Sequence, residues 1–235
     1  ASLGYQETQG IVYPSKFARL SGRVNIDLNA TSWLKAHANI NVIDTKFNNT
    51  SDNNSANQGG VILSALTTPA FLPIYADDFV GGAEAGGQLS GQFAANPTAS
   101  LENPVSFQSR QEDTNTGRYM ANLIFDVNLL DNLVWKISST VDNTRSVYEY
   151  FVDSYRSNYG RNNNSEDLST RGIGRQYTTN NYNWNLENTL NYTLKSGEND
   201  LNLLFGNSIQ KQSYDQVRVE GTGFPLDLRR LDLSQ

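Results

Sequence analysis

The 235-residue sequence predicts an all-β fold: antiparallel, up-and-down strands, about seven of them, forming one section of a transmembrane β-barrel. Three observations carry this expectation. Apolar and polar residues alternate with period two along extended stretches. Those stretches run to roughly 10 to 15 residues, against about five or six in ordinary globular sheets. The connections between them are tight at one end and long and polar at the other.

Taken in order, "SLGYQETQGIVY" is a first strand that turns across Pro14-Ser15-Lys16. Ala18, Leu20, Gly22, Val24, Ile26 and Leu28 then form an apolar series interleaved with Arg19, Ser21, Arg23, Asn25, Asp27 and Asn29. After a turn at Ala30-Thr31-Ser32 the pattern resumes, with Leu34, Ala36, Ala38, Ile40 and Val42 set against Lys35, His37, Asn39 and Asn41. A fourth strand aligns Tyr119, Ala121, Leu123, Phe125, Val127 and Leu129, and past Asp131-Asn132 a fifth aligns Leu133, Trp135, Ile137 and Val141. A sixth sets Tyr182, Trp184, Leu186, Leu190, Tyr192 and Leu194 against Asn183, Asn185, Glu187, Thr189, Asn191 and Thr193. The turn Lys195-Ser196-Gly197-Glu198-Asn199 leads to a seventh with Leu201, Leu203, Phe205 and Ile209, and the alternation fades after position 214. Long connections are expected near 48–114 and 148–177.

Composition narrows the function classes. Hydrophobic residues are only 37% of the chain, and no apolar run approaches the roughly 20 residues of a membrane helix. Cysteine is absent, which excludes disulfides, thiolate metal sites and cysteine nucleophiles. One histidine, His37, leaves little scope for imidazole catalysis, and a net charge of −6 with scattered Lys and Arg argues against nucleic acid. No cofactor is expected. The opening "ASLGYQETQ" has neither a basic nor an apolar leader segment, so the sequence is expected to be processed or part of something longer.

Alternation alone fits two solvents. In a β-sandwich the apolar face packs inward; in a barrel it meets lipid while the polar face lines the lumen. Aromatic residues near strand ends (Trp33, Trp135, Tyr119, Tyr182, Tyr192) suit interfacial girdles. The polar series carries Arg19, Arg23, Asp27, Lys35, His37, Asp126, Lys136 and Glu187, also Asp142, as a wet lumen would, and the apolar series is nearly free of charge. These features favour the barrel; a soluble or surface β-sandwich for glycan binding or adhesion is the alternative. A glycan-cleaving enzyme would need two facing carboxylates, which spacing does not reveal.

Several loop residues are candidates for contact. In "GGVILSALTTPAFLPIY", Ile62, Leu66, Phe71, Leu72, Ile74 and Tyr75 are too apolar to remain uncovered on a loop, so they are expected to dock on a partner or on the protein itself. "SVYEYFVDSYRSNYGRNNN" gathers Tyr148, Tyr150, Phe151, Tyr155 and Tyr159 with Arg156 and Arg161, either as substrate contacts or as an aromatic girdle. Asp77, Asp78 and Glu84, or Glu166 and Asp167, offer loop oxygens for Ca²⁺ without the spacing of a calcium loop; a solvated acidic loop is the plainer reading. His37 has no ligand partner at adjacent spacing and reads as a hydrogen-bonding residue. "GTGFPLDLRRLDLSQ" follows no phosphate-loop pattern.

The stretches "SLGYQETQGIV", "RLSGRVNIDLNATSWLKAHANINV", "ALTTPAFLPIY", "FDVNLLDNLVWKISSTVD", "NWNLENTLNYTL" and "LNLLFGNSIQKQ" resemble the SusC/RagA family of TonB-linked outer-membrane transporters. That resemblance implies a barrel of about 22 strands in the bacterial outer membrane, closed by a plug and capped by a SusD-like lipoprotein. It implies import of glycans or peptides, driven by the TonB complex through the N-terminal part, and no enzymatic activity. Residues 1–235 show no plug and no TonB-contact segment, so they are expected to be an early section, about a third of the barrel.

Overall fold

The computed structural model describes residues 1–50, 60–75, 93–94, 103–152 and 172–224. Seven strands form one antiparallel sheet in chain order: β1 (Ser2–Gln9), β2 (Lys16–Asn29), β3 (Leu34–Asn48), β4 (Gln111–Leu130), β5 (Leu133–Val152), β6 (Ile173–Ser196) and β7 (Asn199–Thr222). One short helix, α1 (Val61–Thr67), and a 3-10 helix over Pro104–Ser109 belong to the β3–β4 connection. No described helix is long and apolar enough to cross a membrane, which says nothing about strands.

The tight turns have local causes. At the β2–β3 turn the Thr31 hydroxyl accepts from the Trp33 and Leu34 backbone N–H groups at 3.3 and 3.0 Å, a side-chain substitute for a backbone turn bond. At the β6–β7 turn Gly197 has φ +61°, the left-handed conformation that a Cβ disfavours. At the opposite end, a Cβ on Gly10 would come within 2.8 Å of Ser15, and the Gly10 N–H donates to the Ser15 carbonyl at 2.8 Å.

Register carries each face across the sheet, because directly paired residues share a side. One middle row runs Ile26, Ala38, Leu123, Ser139, Leu186, Ile209. Its neighbour on the other face runs Asn25, Asn39, Asn122, Thr140, Asn185, Gln210. On the apolar side, Tyr119 and Tyr182 sit in one row, while Trp135 and Tyr192 occupy adjacent rows near the tight turns. From Tyr182 to Tyr192 is ten residues of β6. At about 3.3 Å each and a tilt of about 40°, ten residues rise roughly 25 Å, the height of a barrel's apolar band.

The β-sandwich alternative is overturned among the described residues. There is a single sheet, and Val24, Ile26 and Leu123, expected to be buried between layers in a sandwich, are 40%, 52% and 43% exposed. Strand lengths also differ from expectation. β4 to β7 have 20 to 24 residues, and β7 continues to Thr222, well past position 214. Beyond the Tyr119–Tyr182 row the apolar side mixes Asp44, Arg145, Asn180 and Asp215 with Val147 and Val217, and the polar side gains aromatic rings, so the alternation signal fades while the backbone ladder continues.

The two faces should answer differently to charge. Leu123→Arg, in the middle apolar row, is expected to cost about 2–4 kcal/mol in a bilayer. Asn122→Arg, one residue away on the polar face, should cost little. Urea unfolding of the complete protein in lipid vesicles measures both, and equal costs would contradict the assignment of faces.

Candidate functional site

The polar face is layered from the tight turns upward. Nearest the turns, two adjacent rows hold Asp27, His37 and Glu187, and Lys35, Asp126 and Lys136. His37 bridges two carboxylates: Nδ1 lies 2.6 Å from Asp27 Oδ1, and Nε2 lies 3.5 Å from Asp126 Oδ2. Lys136 Nζ is 3.8 Å from the other oxygen of Asp126. Sequence spacing found no carboxylate near His37 because both come from neighbouring strands. No cluster of three or more His, Cys, Asp or Glu side chains suited to a metal occurs among the described residues.

Above this charged zone comes a belt of amides. The row Asn25, Asn39, Asn122, Thr140, Asn185, Gln210 crosses six strands, followed by Arg23, Asn41, Met120, Asp142, Asn183, Gln212. The Asn122 amide donates to Thr140 Oγ1 at 2.7 Å, and Gln210 donates to Asn183 Oδ1 at 3.2 Å. Arg118 holds Asp142 with two bonds, at 2.9 and 2.6 Å, the planar fork matching the carboxylate. Arg19 leads a hydroxyl row through Thr45, Thr116, Ser146 and Thr179. All eight residues expected to line a lumen therefore share this face.

At the upper end the chemistry turns aromatic. One row runs Phe17, Phe47, Thr114, Tyr148, Tyr177, Arg218, and the next runs Glu112, Tyr150, Arg175, Glu220. Tyr148 and Tyr177 stack with centroids 5.4 Å apart. The Arg218 guanidinium lies over Tyr177 at 5.3 Å, and Arg175 lies over Tyr150 at 5.4 Å. Tyr148 donates to Glu112 at 3.4 Å, and Tyr177 donates to Glu220. Burial pushes the Tyr148 phenol well above its ordinary range, with the negative charge of Glu112 adding to the shift. The hydrogen bond to Glu220 raises Tyr177 in the same direction. Of the expected loop contacts, Tyr150 joins this cluster; Tyr155, Arg156, Arg161 and Tyr159 lie outside the described residues, as do Asp77, Asp78, Glu84, Glu166 and Asp167.

The β3–β4 connection makes a second feature. Asn103 is buried and its amide donates to the carbonyls of Pro73, Ile74 and Ala94 at 3.1, 3.3 and 3.3 Å, tying separate loop segments together. Tyr75 stacks on Phe93 at 5.7 Å. Of the expected apolar contacts, Leu66 and Phe71 stand 79% and 75% exposed, Ile62 is exposed, and Leu72 is half-buried.

Fold and face together define a class: an up-and-down sheet, apolar on one side and polar on the other, of the kind that closes into a membrane barrel. No family model and no curated protein matches the sequence. Among solved structures, the RagAB peptide transporter matches with a TM-score of 0.72 at 20% identity, over 99% of this chain and 25% of that one. The RagAB peptide importer matches with a TM-score of 0.71 at 22% identity in its "closed-closed" state, over 99% of this chain and 25% of that one. In its "open-open" state the values are 0.72 and 21%, over 99% and 24%. The chain thus spans about a quarter of the length of these chains, and the likeness is one of fold. The matched proteins are described as a peptide transporter and a peptide importer.

The Tyr148 environment sets a pH dependence. Because the folded protein holds this proton more tightly than the unfolded chain, the stability it contributes is present below the ordinary phenol range and is lost as pH rises through the raised value. In an alkaline titration followed by phenolate absorbance, the signal removed by Tyr148→Phe should come from the most alkaline part of the curve. Loss of signal from the ordinary phenol range would contradict the burial.

Proposed function

We propose that this chain is part of the barrel of a TonB-dependent, SusC-like transporter that imports large nutrients, glycans or peptides, across the bacterial outer membrane. The observation that carries this reading is the single two-faced sheet whose aromatic rows bound an apolar band of barrel height; its match to the RagAB fold supports it. Lipid covers the side of Val24, Ile26, Leu123 and Leu186, where an exposed charge would cost most. The opposite side, with Arg19, Arg23, Asp27, Lys35, His37, Asp126, Lys136 and Glu187, lines the water-filled interior. The tight turns face the periplasm and the long connections, which the strand bounds place between β3 and β4 and between β5 and β6, face outward.

A SusD-like surface lipoprotein caps the barrel and rests on the β3–β4 connection, whose exposed Ile62, Leu66 and Phe71 supply apolar contact and whose Asn103 ties hold the platform in shape. The TonB complex acts through the plug of the complete transporter. The section contributes no catalytic residues; its work is to line and to bind. Tyr150 and the rings beside it supply substrate contact at the entrance.

Two measurements test this. The complete protein should fractionate with outer membranes and need detergent for extraction; recovery as a soluble monomer would end the importer reading. Phe71→Asp should reduce co-purification of the capping lipoprotein about tenfold or more, as loss of a well-packed aromatic anchor does, without changing membrane recovery.

A further inference from the structure

Two guanidiniums stand at the top of the polar face without a close ion pair. Among the described residues Arg218 has no ion-pair partner; its Nε donates to neutral Gln216 at 3.0 Å. Arg175 approaches Glu220 only to 3.8 Å, too far for a hydrogen bond, and its buried Nε has no acceptor. The two nearby carboxylates are engaged otherwise, Glu112 by Tyr148 and Glu220 by Tyr177. Each guanidinium is held beside a tyrosine ring, Arg175 at Tyr150 and Arg218 at Tyr177, a cation–π contact that restrains it and lowers the ordering cost of binding an anion.

The same stacking speaks to what carries the anion. A pyranose binds aromatic residues through their open faces. Here Tyr177 lies between the Tyr148 ring and the Arg218 guanidinium, and Arg175 covers Tyr150. Each of these contacts takes up a ring face that a sugar would otherwise use. Just below, Asn181, Asn183, Asn185, Gln210 and Gln212 each carry a donor and an acceptor, the pairing that peptide groups present.

We propose that Arg175 and Arg218 form a carboxylate-binding subsite and that the nutrient it selects is an acidic peptide. This rests on the importer reading and narrows its substrate. Carboxylate oxygens dock on the free N–H edges of the two guanidiniums, displacing the loose Arg175–Glu220 contact, while the amide rows take the peptide backbone.

The test uses the complete transporter purified in detergent and a short glycine–serine peptide carrying two aspartates, with its asparagine and lysine counterparts and an oligogalacturonate of similar length. The aspartate peptide should bind about tenfold more tightly than the asparagine one, the scale of a charge-assisted pair. Arg175→Gln and Arg218→Gln should each erase most of that preference, and recovery of each variant from the outer membrane in wild-type amount shows that it is folded. Glu220→Gln, by removing a competing carboxylate, should tighten aspartate-peptide binding. Equal binding of the aspartate and asparagine peptides, or a preference that survives both arginine variants, overturns the subsite. Tighter binding of the oligogalacturonate overturns the peptide assignment. Uptake indifferent to charge would remove this proposal and leave the importer standing, whereas failure to reach the outer membrane would remove both.

Discussion

Strand pairing is the constraint on which everything else in this sheet depends. Inside hydrocarbon no water can accept a backbone N–H, so each strand must find all its partners in its neighbours. Once two strands are paired, a slip by one residue would move every side chain to the opposite face. The β2–β3 register sets Ile26 beside Ala38 and Asp27 beside His37, and five further pairings repeat that decision. Both faces, and therefore every candidate contact, follow from one choice of register.

The fold was legible because that constraint writes itself along the chain with period two. Positions 18–42, 119–141 and 182–209 declare their strands, and the Thr31, Asp131-Asn132 and Gly197 turns are visible as short polar breaks. Asn188 and Asn207 interrupt the apolar series of β6 and β7, and sequence cannot say why they are tolerated. Register supplies the reason: they are directly opposite, and the Asn188 amide donates to Asn207 Oδ1 at 3.2 Å. A polar group on this face is less costly when its partner sits on the adjacent strand.

The site was legible only residue by residue. Each of the eight charged or imidazole positions could be assigned to the polar face from parity alone. Their grouping could not, because His37 meets Asp27 from β2 and Asp126 from β4, residues 10 and 89 positions away by 37 − 27 and 126 − 37. The upper cluster was hidden more deeply. Tyr148 and Tyr150 were noticed as a local run, but Tyr177, Arg175, Arg218 and Glu220 reach them across β6 and β7, from stretches where alternation had faded. Aromatic richness suggested open faces for sugars; pairing turned those faces against one another and against guanidiniums.

Layering along the strands follows from the same geometry. Both ends of the polar face carry opposed charges, Asp27, Asp126 and Glu187 with Lys35 and Lys136 below, Glu112 and Glu220 with Arg175 and Arg218 above. Between them the rows are largely amide and hydroxyl, with Arg19 and Arg23 at their β2 end and Arg118 matched by Asp142. Strands about 4.8 Å apart bring amides from adjacent strands within mutual reach, so Asn122 and Gln210 satisfy neighbours while keeping capacity for a guest. A ligand released from the proposed arginine subsite would next meet mostly neutral groups that can donate or accept at each step. Weak, repeated and exchangeable contacts suit passage. The division of labour along this face is thus a consequence of which rows the register brings together, not of any one residue.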